Sequence, residues 1–294
     1  MKNKNILIIA LLIISFSIIG CVDVESGYVS LSDPVNTVND HEGNLTVHFI
    51  DVGQGDSILI ETPNGNTMLI DGGSRSEGDT VTEYLNQLDI STINVMVATH
   101  PHEDHIGGLN DVLSNFNVLQ VYDPGVAHTS QTYENFLLKI DANNIDYSIG
   151  RAGQSIDLDP NIDFEIISPS IIDEDELNDN SIVIKMTYHD VSFLFTGDAE
   201  SPPENTMVQN YNVDATILKV GHHGSSSSTS QTFLNEVSPD IAIIQVGADN
   251  SYGHPTQNTL NKLKSVGAYV YRTDIDGTVI VSTDGFTYDV YTQY

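Results

Sequence analysis

Thr99-His100-Pro101-His102-Glu103-Asp104-His105-Ile106-Gly107-Gly108 is the stretch from which the fold is read. Three histidines and an aspartate fall within six residues, directly after the apolar run Ile93-Asn94-Val95-Met96-Val97-Ala98. An apolar run that gives way to such a cluster marks a buried strand ending in a loop. Imidazole and carboxylate are ligands that zinc and manganese accept. His100 and His102 are two apart, so extended backbone points them the same way. Asp104 and His105 can turn toward a second position beside the first. A single zinc needs only three or four protein ligands. Four candidates in one loop, with more downstream, predict two adjacent metals.

The cluster reads H-x-H-x-D-H and resembles the signature of the metallo-β-lactamase superfamily. Other stretches narrow the resemblance: His48-Phe49-Ile50-Asp51-Val52-Gly53-Gln54-Gly55-Asp56-Ser57 and Met68-Leu69-Ile70-Asp71-Gly72-Gly73 before the cluster. After it come Phe193-Leu194-Phe195-Thr196-Gly197-Asp198-Ala199-Glu200, Leu218-Lys219-Val220-Gly221-His222-His223-Gly224-Ser225 and Tyr252-Gly253-His254-Pro255. Their order and wording resemble the extracytoplasmic hydrolase domain of the ComEC-type DNA-uptake proteins and their stand-alone relatives, over residues 45–281. The resemblance implies an α/β fold, the metallo-β-lactamase αββα four-layer sandwich, and metal binding. It does not specify a substrate.

The chain has 294 residues, enough for one large domain or two small ones, and the spread of motifs favours one, over 44–294. Residues 1–20 stand apart, with a short basic start followed by an almost wholly apolar run from Ile6. That run is short for a membrane span and has the shape of a signal-peptide core. Ile18-Ile19-Gly20-Cys21 resembles a lipobox, so Cys21 is expected to carry lipid and 21–43 to act as a tether. The alternative is an incidental cysteine after an uncleaved anchor. Both readings put the domain outside the cytoplasm at a membrane surface. Cys21 is the single cysteine, which excludes an internal disulfide.

Alternation and turn residues predict strands over 45–50, 57–61, 67–70, 164–168, 181–188, 191–196, 215–220 and 241–246, with further short strands over 269–290. Helical spacing predicts helices over 79–88, 108–116, 131–142, 229–237 and 256–266. In 131–142 the apolar side is Tyr133, Phe136, Leu137 and Ile140. Asp173-Glu174-Asp175-Glu176 reads as a solvated loop.

The resemblance implies one metal on His100, His102 and a later histidine, a second on Asp104, His105 and a late histidine, and Asp198 bridging them. The late histidine matches His222 or His223. His222 is favoured because it comes first after the strand, which leaves His223 beside the ligands, toward substrate. Both facing one metal would distort the loop. The third histidine of the first site should lie between the cluster and Asp198, where only His128 and His189 occur, one in a loop and one in a turn. The ComEC-like branch carries Asn and Ser near this place, here Asn180-Ser181. Both are candidate substrate contacts, with Asn180 a weak ligand or merely a turn residue. Gln54 and Asp56 belong to a turn that either lies under the metals or is simply glycine-permitted. Ser225 opens a serine run that either contacts phosphate or is a polar loop. His254 is a candidate proton donor to a leaving group.

Two close divalent ions, zinc or manganese, acidify a water and neutralise developing oxyanion charge, with Asp104 placed to orient the attack. This suits hydrolysis of phosphodiesters, esters, lactones or lactams. The ComEC-like resemblance points to a phosphodiesterase or nuclease. The alternatives are a small-molecule esterase or lactonase, and a binding protein that keeps the metals without turnover. Lys plus Arg number 10 against 41 Asp plus Glu, a net charge of −31. No basic patch exists to hold nucleic acid tightly, so positive charge for a polyanion must come from the metals. Self-repulsion of this size destabilises the compact state and is screened by salt. The melting temperature is therefore expected to rise between dilute buffer and molar salt. A melting temperature independent of salt would count against salt adaptation.

Overall fold

The strands alternate between two destinations, and that alternation builds the layers. In β5 (Thr92–Val97), Val95 and Val97 enter one buried cluster while Met96 enters another. In β11 (Val191–Phe195), Phe193 and Phe195 enter the first cluster while Leu194 enters a third. Successive side chains of a strand leave opposite faces, so each sheet has one face on a shared core and one on helices. A computed structural model describes residues 27–28 and 43–294 of the chain. The expected signal peptide and most of the expected tether lie outside the described residues.

Among the described residues the first sheet has nine strands. They are β1 (Gly27–Tyr28), β2 (Leu45–Phe49), β3 (Ile58–Glu61), β4 (Thr67–Ile70), β5, β6 (Asn117–Asp123), β7 (Asp146–Ile149), and the late β15 (Val279–Thr283) and β16 (Tyr288–Thr292). Their order is β1-β16-β15-β2-β3-β4-β5-β6-β7. The second sheet has seven strands: β8 (Gln154–Ser155), β9 (Asp163–Ser168), β10 (Val183–Tyr188), β11, β12 (Ile217–Lys219), β13 (Ile241–Ile244) and β14 (Tyr269–Arg272), in order β14-β13-β12-β11-β10-β9-β8. The shared core unites Val47, Phe49, Ile58, Ile60, Val95 and Val97 of the first sheet with Ile166, Ile184, Phe193, Phe195, Ile217 and Ile243 of the second.

Helices α1 (Gly78–Gln87), α2 (Glu103–Ile106), α3 (Leu109–Asn115) and α4 (Gln131–Ala142) belong to the first half. Val81, Leu85, Val112 and Phe136 from α1, α3 and α4 cover Leu59, Leu69 and Met96 on the outer face of the first sheet. Helices α5 (Ser201–Asn210), α6 (Gln231–Val237), α7 (Gln257–Val266) and the single turn α8 (Thr273–Asp276) belong to the second half. Met207, Phe233, Leu234 and Leu263 cover Leu194, Leu218 and Ala242 on the other side. This is the αββα sandwich. Among the described residues no helix is long and apolar enough to cross a membrane.

Several features depart from the sequence reading, among them β8, which had no anticipated strand, and the helical turn α8 inside a stretch read as strands. β6 and β7 had no anticipated counterpart, because Asn117 to Asp123 mixes Gln120 and Tyr122 into the apolar positions. Helix α5 is masked by Pro202 and Pro203, which sit in its first turn, where a missing N–H costs no helical bond. On α4, Tyr133, Phe136 and Ile140 are buried, but Leu137 is 36% exposed.

The parallel strands decide where a site can be. β4 and β5 run parallel, as do β11, β12 and β13, with Phe195 beside Lys219 and Lys219 beside Ile243. Their carboxyl ends face the same edge of the sandwich, where open α/β sheets place ligands. The loop after β12 is secured from behind. The buried carboxylate of Glu204 on α5 accepts the backbone N–H of Thr229 and, at 2.9 Å, that of Ser230. Burial raises the Glu204 carboxyl, and the donors from Ser230 and Thr229 oppose it.

Candidate metal centre

Each group of the candidate centre stands at a strand end. Asp71 follows β4, and His100 to His105 follow β5 and enter α2. Asp198 follows β11, and His222 and His223 follow β12. The turn Gly53-Gln54-Gly55-Asp56 joins β2 to β3 and presses on the metal loop: Asp56 N–H donates to Asp104 O at 3.3 Å. Gly55 has φ +142°, and a Cβ there would collide with the Asp104 carbonyl. The turn therefore lies under the cluster, and glycine is required for that close approach.

The centre is built on one carboxylate oxygen. Asp198 Oδ2 lies 3.3 Å from His105 Nε2, 3.6 Å from both His222 Nε2 and His223 Nε2, and 4.0 Å from His100 Nε2. The opposite ring nitrogens are held by acceptors. His105 Nδ1 is 2.8 Å from Asp71 Oδ2, and His222 Nδ1 is 3.2 Å from Glu200 Oε1. His223 Nδ1 donates to the Gln245 carbonyl at 3.0 Å. Thr99 Oγ1 donates to Asp71 Oδ2 at 2.6 Å and so can accept from His100 Nδ1 at 3.1 Å. In these four histidines Nδ1 is thus engaged and Nε2 faces the centre, the usual division of labour at a metal-binding imidazole. His102 comes in by its other nitrogen, with Nδ1 3.0 Å from His100 Nε2.

These atoms fit divalent metal. His105 Nε2, His223 Nε2, Asp198 Oδ1 and Asp56 Oδ1 are buried without any hydrogen-bond partner. Such orphaned nitrogen and oxygen donors are costly unless something coordinates them. Donor atoms of His100, His105 and Asp198 lie within 4.8 Å of one another, and so do those of Asp104, His105 and His223. Without metal, protons take the positive role. Burial disfavours the charged form of His105, but Asp198 and Asp71 outweigh it and hold the group well above its ordinary range. His223, equally buried, is held up to about 9 by Asp198 and Asp56. Burial and then His105 push His100 well below its ordinary range. Asp198 is buried too, yet His105 and His223 keep it ionised far below the usual carboxylate range. Metal binding displaces such protons.

Several expected residues sit elsewhere than the sequence suggested. His222 and His223 both reach Asp198, although neighbouring histidines were expected to diverge. Both adopt left-handed backbone, with φ 50° and 51°, which folds the two rings onto one centre. His223 is the buried member, near Asp104 Oδ2 at 3.4 Å, whereas the His222 side chain is 24% exposed. Asn180 does not face the cluster. Its amide is taken by the 173–176 loop, accepting from Asp173 N–H at 2.8 Å and donating to Asp173 O and Glu176 O. Ser181, the other expected substrate contact, is turned inward. It is fully buried, and its Oγ accepts the Asp198 N–H at 3.1 Å and lies 3.4 Å from His100 Nδ1. Ser225 Oγ pairs with Ser227 Oγ at 2.9 Å inside the serine run. His128 is closer to the centre than its loop position implied, its ring 6.5 Å from that of His102. His189 stacks on Phe286 in its turn, with φ 53°.

The residue that sequence reading passed over is Lys219. It is 1% exposed, pairs with Asp56 Oδ2 and donates to Gly197 O at 3.2 Å. The signal was present: alternation in β12 sends Ile217 into the core between the sheets, and Lys219, two residues on, leaves the same face. A lysine at such a position needs a buried anion, and Asp56 supplies it.

Above the cluster opens a cavity of about 290 Å³, lined by Gln54, His102, Glu103, Asp104, Asp198, His222, His223, Tyr252 and His254. No lysine or arginine lines it. The His254 Nδ1 is buried without a partner, and its ring lies 5.7 Å from that of His222.

The Metallo-beta-lactamase superfamily profile matches residues 50–247, a span that holds Asp71, His100 to His105, Asp198, His222 and His223. The chain belongs to the metallo-β-lactamase superfamily. It is similar to ComE operon protein 3 of Bacillus subtilis (strain 168), 29% identical over 251 residues, covering 79% of this chain and 32% of that protein. Competence protein ComA of Neisseria gonorrhoeae is 31% identical over 258 residues, covering 86% of this chain and 34% of that protein. The chain thus spans about a third of the length of these relatives. Among solved structures, CmlA, a diiron beta-hydroxylase from Streptomyces venezuelae, shares the fold with a TM-score of 0.53 at 12% identity, over 82% of this chain and 54% of that one.

Within this superfamily member the Lys219–Asp56 pair is open to direct test. Lys219→Met takes from buried Asp56 its lysine partner and leaves only the His223 and His105 rings, at 3.3 and 3.8 Å, to balance it, expected to cost about 3 kcal/mol in urea unfolding. Adding Asp56→Asn should restore much of that loss. An unchanged unfolding midpoint in the single variant would remove the pair as a support of the site.

Proposed function

We propose that this chain is a metal-dependent phosphodiesterase, with nucleic acid within its substrate range. The observation that carries the reading is the set of imidazole nitrogens within 4.0 Å of Asp198 Oδ2 in a cavity without lysine or arginine. A phosphodiester is an anion, and a cavity walled by Glu103, Asp104 and Asp198 repels it unless cations reside there. The likeness to relatives named for the ComE operon and for competence supports the same reading.

His100 and His102 would hold one metal and Asp104, His105 and His223 the other, with Asp198 between them. This places His223 among the ligands and His222 at the mouth, facing what enters. Two divalent ions, zinc or manganese, would supply Lewis acidity that acidifies water and neutralises charge on the phosphoryl oxygens. Asp104 orients the attacking water by accepting its hydrogen bond. Asp71 and Gln245 keep His105 and His223 aimed at the centre. His254, on the cavity wall, donates a proton to the departing oxygen. We also propose that the domain works outside the cytoplasm, tethered to a membrane by lipid on Cys21.

Turnover of bis-p-nitrophenyl phosphate, and of nucleic acid, is expected with added zinc or manganese. Asp104→Ala and Asp198→Ala should each abolish it while the fold survives, and elemental analysis should show up to two ions per chain in the parent. His254→Ala should slow substrates with poor leaving groups more than activated nitrophenyl esters. Lactone or carboxylic-ester hydrolysis without phosphodiester turnover would move the assignment to a small-molecule esterase. Bound metal with no turnover at all would make it a binding protein. For the anchor, mass spectrometry of the native N-terminus should find a lipid-modified Cys21 that Cys21→Ser abolishes; an intact Met1 would refute it.

A further inference from the structure

Beside the metal cavity lies a second hollow of about 500 Å³ whose lining includes His128, Tyr133, Glu134, Leu137, Tyr147 and Ile149. Leu137, Tyr147 and Ile149 are 36%, 40% and 47% exposed, so apolar side chains line open space here. Glu134 is the one carboxylate in the lining, on a chain whose net charge is −31. The two cavities adjoin through their histidines: His102 lines the first, His128 the second, with ring centres 6.5 Å apart and planes at 82°.

The lining is held in place. Tyr147 and Tyr133 donate their hydroxyls to Asp123 Oδ1, at 2.7 and 3.1 Å. His128 Nδ1 is 2.9 Å from Ser130 Oγ, and the same oxygen caps α4 by accepting the Tyr133 N–H. With its hydroxyl engaged and its side chain 40% exposed, Tyr147 has ring surface left to offer, while buried Tyr133 backs the wall. Pre-set aromatic surface binds a flat partner at low entropic cost.

Resting on the phosphodiesterase reading, we infer that this hollow is a subsite for an uncharged aromatic ring of the substrate, of the nucleobase class, carried beside the scissile phosphate. Charge argues against a second phosphate there, since Glu134 is present and no cation lines the hollow. Tyr147 and Leu137 are its specificity-determining residues. Neither belongs to the metal cluster or its supports.

The test compares two substrates with one leaving group: thymidine 5′-(p-nitrophenyl phosphate) and methyl p-nitrophenyl phosphate, on metal-loaded full-length protein. The thymidine ester should be preferred in kcat/KM on the order of tenfold, the range of one base stacked on an aromatic side chain. Tyr147→Ala and Leu137→Ala should each reduce that preference and leave methyl ester turnover unchanged. Tyr147→Phe, which keeps the ring and loses only the bond to Asp123, should retain it. Equal turnover of both esters, or a greater preference for an n-hexyl ester, overturns the inference while leaving the phosphodiesterase reading standing. If neither ester is cleaved, that reading fails, and ligand-observed NMR decides the subsite alone. Saturation transfer to the thymine ring of thymidine that disappears in Tyr147→Ala supports it, and no transfer in the parent protein refutes it.

Discussion

A buried carboxylate that must be neutralised organises this protein. Asp198 is 2% exposed, and an ion withdrawn from water to that degree costs several kcal/mol unless it is paired. Asp56 and Asp71, 1% and 0% exposed, pose the same demand a few ångströms away. Lys219 and the imidazoles of His100, His105, His222 and His223 answer it from separate parts of the chain. Two of those imidazoles, His105 and His223, are drawn toward the protonated form by the carboxylates around them. A pocket that recruits protons this strongly is one whose charge suits divalent cations.

That demand accounts for three of the left-handed residues of the chain. Asp71, His222 and His223 are all non-glycine residues with positive φ. Each such conformation costs about 1–3 kcal/mol and persists only where surrounding contacts over-determine it. Here the contacts are those at the centre: Asp71 on His105 and Thr99, His223 on Gln245 and Asp104, His222 on Glu200. Glu204 adds a rigid backstop by holding the Thr229 and Ser230 N–H groups at the far end of the same loop. The left-handed pair therefore belongs to the site's construction, since it lets one short loop deliver two rings to one carboxylate oxygen.

The surroundings divide the work between polar and apolar surface. The metal cavity is walled by histidines and carboxylates and has no lysine or arginine of its own. The neighbouring hollow takes Tyr133, Leu137, Tyr147 and Ile149 into its wall and has Glu134 as its one carboxylate. Leu137 connects this division to the fold. Helical spacing puts it beside Tyr133 and Ile140, but α4 packs on the sheet through Phe136, and Leu137 faces the hollow.

Much was legible in the sequence because it is local. The apolar run before Thr99 followed by three histidines signals a strand end with ligands, and residues two apart on extended chain share a face. The same alternation marked most strands of both sheets. What stayed hidden depends on residues distant in sequence. Asn180 and Ser181 are neighbours, yet Asn180 turns to the 173–176 loop while Ser181 supports Asp198 and His100. Lys219 meets Asp56 only because β12 of one sheet faces the β2–β3 turn of the other across the core. The order of His222 and His223 in the chain suggested the first as ligand, but burial at the centre falls to the second. Residue type and period determined the two sheets and the chemistry at their edge. Which side chain reaches the centre was decided by tertiary structure, because that depends on backbone hand and on register between strands far apart in the chain.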